Sequence, residues 1–244
     1  MHTQGSRRIF RTAPLLYATL FALTLVAFWP SYIAVAPSTL SSYHHLHAAT
    51  STAWLVLLIV QPILALSGRI DIHRALGRTS YILMPLVLLT FIGLAHSMMQ
   101  GKTGMELEIE VFLAYVRLIG GASVAIFYAL AVIYRRNTPI HARLMLCTGL
   151  PLIEPVANRL GLRVLNDWSF NYQYISFGLM AAILLSCIWT ERKAPSGRLV
   201  FRWYWLASLQ PICHYYCSST NGEGRMTRGH SGRSGLPPCQ FHEA

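Results

Sequence analysis

A chain of 244 residues that is 54% hydrophobic and only 12% charged, with mean hydropathy +0.42, holds more apolar side chains than one soluble core can hide, since soluble domains carry about 25% charged residues. Its 20 Lys and Arg against 9 Asp and Glu fall in short clusters between apolar blocks, which excludes the continuous basic stripe of a nucleic-acid binder. Lipid is therefore the expected solvent, and an all-α, polytopic transmembrane helical bundle the expected fold class.

The first predicted span covers about 13–36, behind a basic arm with Arg7, Arg8 and Arg11. Its end, Ala34-Val35-Ala36, resembles a signal cleavage site. The apolar region is longer than the 7–15 residues of a signal, however, and Pro37 would follow the cut, so the span is expected to be retained. The next connection, 37–45, has no Lys or Arg and leads into the run Tyr43-His44-His45-Leu46-His47 at the start of the second span, 46–67. His44 and His47 are three apart and share a helix face. Steps of seven from His47 reach Trp54 and Gln61, an amphipathic stripe that lipid would reject and that is predicted to face the bundle interior.

The third span, 79–98, carries Pro85 and ends with His96, which alternating topology brings to the depth of His44 and His47. Imidazoles bind divalent metals, and two from different helices can hold a haem iron. The sequence thus suggests an outer-facing metal site from His44, His47, His96 and Glu154, or a haem b site using His47 and His96. The alternative is a set of interfacial histidines satisfied by water. The fourth span, 111–134, contains Arg117, and the fifth, 144–163, contains Glu154 between Pro151 and Pro155. Charges in hydrocarbon cost at least about 2.5–3.5 kcal/mol and tend to pair, so an Arg117–Glu154 pair is expected, with Asn158 nearby. Otherwise Arg117 snorkels to the surface and Glu154 is protonated.

Two connections on the opposite side form a basic turn: Gly68-Arg69-Ile70-Asp71-Ile72-His73-Arg74-Ala75-Leu76-Gly77-Arg78, and Arg135, Arg136, His141 and Arg143. Arg69, His73, Arg74, Arg78, His141 and Arg143 are candidates to cradle an anionic phospholipid headgroup, or else simply fix topology. Ile72-His73-Arg74-Ala75-Leu76 and Ile140-His141-Ala142-Arg143-Leu144 echo one another before a proline-bearing span, as a parallel repeat would.

The sixth span is expected at 173–190, followed by Arg192, Lys193, Arg198 and Arg202. Alternate connections then hold thirteen basic residues on one side against three, Lys102, Arg159 and Arg163, on the other. The positive-inside rule places the N-terminus in the cytoplasm and the protein as a multi-pass inner-membrane protein. Residues 1–198 make the bundle; the aromatic stretch 199–217 suits an interfacial helix or a seventh span; 218–244 reads as a disordered tail. Cys147 and Cys187 lie in apolar spans and suggest no disulfide framework, and the tail's Cys213-x-x-x-Cys217 and Cys239-x-x-His242 have unusual spacing for zinc. No Walker loop, dinucleotide-binding glycine pattern, H-E-x-x-H helix or nucleophile elbow occurs.

The run His47, Trp54, Gln61, Gly68-Arg69, His73-Arg74-x-x-Gly77-Arg78 and Tyr81, with the later Pro139-Ile-His-Ala-Arg143 turn, resembles a widespread group of bacterial multi-span membrane proteins of unknown function. The resemblance covers roughly 13–193 and implies a helical bundle but no activity. Three functions follow as expectations: a metal- or haem-binding membrane protein, a small transporter or lipid-handling protein using Arg117 and Glu154, and an accessory subunit without a site.

Overall fold

The structure is a computed structural model that describes residues 4–165, 173–190 and 200. These lie within one compact unit, residues 1–208; the aromatic stretch 199–217, Val200 apart, and the tail lie outside the described residues. Every regular element described is helical: α1 Gln4–Phe28, continued by a π-turn Trp29–Ile33; α2 Ser42–Leu66; α3 Ile70–Met99; α4 Gly104–Ile133; α5 Thr138–Cys147; α6 Ile153–Leu165; α7 Gln173–Thr190. Among the described residues four helices are long and apolar enough to cross a membrane, Arg11–Ile33, α2, α3 and α4. Their outer faces are apolar, with Leu15, Ile82, Leu89 and Ile133 exposed, as helices solvated by lipid require.

The predicted fifth span is not one helix. Pro151 and Pro155 lack the N–H groups that an unbroken ladder needs, and the segment divides into α5, a single 3₁₀ turn at Leu150–Leu152, and α6. The last predicted span is a shorter apolar helix, Ile175–Trp189 within α7.

Side-chain contacts fix the order of packing. Tyr32 meets His45, and Gln61 meets His73, so α1, α2 and α3 run antiparallel in sequence. Ser80 meets Tyr128, and His141 meets Ala131, which extends the alternation through α4 to α5. Tyr17 donates to the Leu146 carbonyl at 2.7 Å and Arg163 reaches Val26 and Ala27, so α5 and α6 lie parallel to α1. Trp54, Met84, Cys147 and Leu184 fill the centre.

Two local features place the functional residues. α2 ends in a Schellman turn: Arg69 N–H bonds the Leu64 carbonyl at 2.9 Å, Gly68 N–H bonds that of Ala65 at 3.3 Å, and Gly68 takes φ +73°. That left-handed conformation suits glycine, and it throws the chain directly into α3. At the other end of α1, Pro30 has no N–H for the Val26 carbonyl. Arg163 supplies the donors instead, Nη1 to Val26 O and Nη2 to Ala27 O, both at 2.7 Å, while its neighbour Arg159 stacks 4.1 Å over the Phe28 ring.

Candidate functional site

The histidine end is built by α1, α2 and α3. His44 sits in the first turn of α2 and bonds Ser41 Oγ through Nδ1 at 2.7 Å. His45 points the other way, to Tyr32 OH at 3.1 Å and the Pro37 carbonyl at 3.0 Å, and ties α2 to the end of α1. His47 is half-buried against Phe91; its Nδ1 lies 3.4 Å from Thr90 Oγ1 and its Nε2 3.3 Å from Ser51 Oγ. His96 is exposed and has no hydrogen-bond partner among the described residues. Both nitrogens of His47 are committed, and among the described residues no three His, Cys, Asp or Glu side chains group so as to hold a metal. The described residues therefore do not bring His44, His47, His96 and Glu154 together as a metal-holding group. The reason is local: each histidine near the α2 start finds a neighbour within its own turn or on the adjacent helix.

Glu154 belongs elsewhere. Its Oε1 accepts from Asn158 Nδ2 at 2.7 Å, and Ser176 Oγ donates to Asn158 Oδ1, which joins α6 to α7. Arg117 is paired with Glu110, at 3.5 Å, in place of Glu154; Lys102 Nζ binds the other Glu110 oxygen at 2.7 Å. α4 begins at Gly104, earlier than the predicted span, so Glu110 and Arg117 stand two turns apart on one helix face.

The opposite end carries the stripe of α2 and the basic turns. Trp54 is 1% exposed, edge-on to Tyr128 at 5.6 Å. The Tyr128 hydroxyl is 2.9 Å from Ser80 Oγ. Gln61 Nε2 donates to the His73 carbonyl at 3.2 Å, and His73 Nδ1 returns to the Gln61 carbonyl at 3.2 Å. His141 Nδ1 likewise donates to the Ala131 carbonyl at 2.7 Å, one of the four left open at the end of α4. A carbonyl accepts only, so both imidazoles carry hydrogen on Nδ1. The two echoed pentapeptides thus perform one job, a histidine reaching back to a carbonyl near the end of the preceding helix.

Arg143 leaves the predicted basic surface. It is 1% exposed, with Nη1 on the Pro139 carbonyl at 2.8 Å. Arg69, Arg74 and Arg78 are exposed, as are Arg135, which donates to Tyr81 OH at 3.0 Å, and Arg136. None of the five is in an ion pair among the described residues. Sequence reasoning overlooked His45, Tyr128 and Ser80. The short 34–41 connection was the available signal for His45, because it folds the end of α1 against the start of α2.

Burial lowers the His141 pKa from its ordinary value; the Ala131 carbonyl opposes this and the nearby His73 adds to it. As pH falls through about 6.5, the unfolded imidazole takes its proton before the folded one. Stability is thus complete above that pH and declines below it. The expected measurement is a detergent-solubilised thermal midpoint that drops between about pH 6.5 and 5, with a shallower drop for His141→Gln, whose amide still donates to Ala131.

No protein family matches the chain by sequence, and neither a curated protein nor a solved structure matches it.

Proposed function

We propose that this is a multi-span bacterial inner-membrane protein of the lipid-handling class, whose arginine-bearing end faces the cytoplasm and engages phosphate headgroups of anionic phospholipids. The observation that supports this reading is the set of five exposed arginines, Arg69, Arg74, Arg78, Arg135 and Arg136, gathered from two turns at one end and free of carboxylate partners among the described residues. Guanidinium groups bind phosphate bidentately, and each basic residue near an anionic surface contributes about 1 kcal/mol. The polar groups behind them, His73, His141 and Arg143, are engaged with backbone carbonyls, so they hold the turns in place and leave recognition to the exposed arginines. Kinship with the bacterial group that shares the His47-Trp54-Gln61 and His73-Arg74 pattern is part of the same proposal.

The test uses the whole chain in neutral detergent. Phosphatidylglycerol is expected to raise the thermal midpoint saturably while phosphatidylcholine does not, and the Arg69→Gln, Arg74→Gln, Arg78→Gln, Arg136→Gln variant loses the response. Arg135 is kept because it braces Tyr81. Equal responses to the two lipids would defeat the proposal, as would an unchanged response in the variant.

A further inference from the structure

Three side-chain polar atoms among the described residues are buried without a hydrogen-bond partner: Trp54 Nε1, Gln61 Oε1 and Glu110 Oε2. The last is 3.5 Å from Arg117 Nη1, whose charge accounts for it. The other two share one stripe of α2, seven residues and so about 10.5 Å apart along the axis. Trp54 is 1% exposed and Gln61 8%. Leaving a donor and an acceptor unmet inside a bundle costs free energy, and native structures meet such groups with protein or bound molecules.

Neither atom is relieved by a change of assignment. Exchanging the Gln61 amide oxygen and nitrogen would set an oxygen against the His73 carbonyl that Nε2 now bonds. The Trp54 indole is held by its edge contact with Tyr128. The lining beside them is polar. Ser80 Oγ donates to the Gly77 carbonyl at 2.6 Å, so the Tyr128 hydroxyl donates in its 2.9 Å contact with Ser80, and the tyrosine oxygen remains an acceptor. A Cβ at Gly77 would stand 3.7 Å from Gln61 Nε2, ordinary contact, so the Nε2 side of the amide is not crowded.

We propose that the seam between α2, α3 and α4 binds neutral hydroxyl-bearing molecules, one oxygen accepting from Trp54 Nε1–H and one donating to Gln61 Oε1. The hydroxyl has two sources, water and a membrane-dissolved alcohol. A charged ligand is excluded, since no ionised side chain is in hydrogen-bonding contact with either atom, and an apolar one would leave both unmet.

The experiment is proton–nitrogen NMR of the whole chain in detergent with indole-labelled tryptophan, the Trp54 signal being identified by its loss in Trp54→Phe. A cross-peak from the Trp54 indole proton to water supports the site with water as its occupant. No water cross-peak, but a saturable shift on adding 1-butanol that Gln61→Leu abolishes, supports it with an alcohol. An indole spectrum of Gln61→Leu that otherwise matches the parent serves as the folding control. An indole proton that shows neither response overturns the proposal.

Discussion

Gly149→Ala is expected to destabilise the protein by about 1–3 kcal/mol, the cost of forcing a side chain into a filled space. A Cβ at position 149 would lie 2.7 Å from the Tyr17 oxygen and 2.8 Å from Cζ. Tyr17 is itself buried and anchored on the Leu146 carbonyl, so it has no small adjustment to make; the ring must leave, and α1 loses its hold on the end of α5. Tyr17→Phe alone removes one hydrogen bond and is expected to cost about 1 kcal/mol. In Tyr17→Ala the added methyl at position 149 has space, so the two substitutions together are less harmful than their sum. Unfolding in mixed detergent micelles measures all four corners; additive effects would show that ring and glycine do not oppose one another.

Arg163→Ala is the second large effect, about 1.5–3 kcal/mol, because it removes charged donors from two carbonyls, one of which, Val26, has no helical donor at Pro30. The decisive measurement is in the Pro30→Ala background. An N–H at position 30 can return to the Val26 carbonyl in a regular helix, so Arg163→Ala should cost clearly less there than in the parent. The same loss in both backgrounds would mean that Arg163 acts through its charge or through Arg159 and Phe28, and not by replacing the missing proline donor.

What was legible in the sequence is what lipid imposes. The four long helices follow from charge-poor blocks of bilayer length, and the His47-Trp54-Gln61 stripe follows from its heptad spacing; the structure turns Trp54 and Gln61 into the bundle against α3 and α4. Hydropathy counted the fifth segment as one span because it sums residues without regard to backbone geometry, while Pro151 and Pro155 act on the backbone through a missing N–H and a bulky ring. The partner of Arg117 was missed for a related reason. Glu110 was read as connection because acidic residues depress hydropathy, yet α4 starts six residues before it and carries both charges on one face. The histidines do not gather as a group of metal ligands among the described residues, because sequence gives depth but not direction: His45 turns to α1, His47 to α3, and His96 outward.

The divided fifth segment also bears on how the chain enters the bilayer. At 10 and 13 residues, α5 and α6 extend only about 15 and about 20 Å, so neither half alone offers the insertion machinery a stretch matching a hydrocarbon layer of about 30 Å. They lie alongside α1, which is synthesised before them and which grips one half through Tyr17 and is gripped by the other through Arg163. α1 is therefore expected to wait, unreleased into bulk lipid, until the later halves arrive to use it as a template.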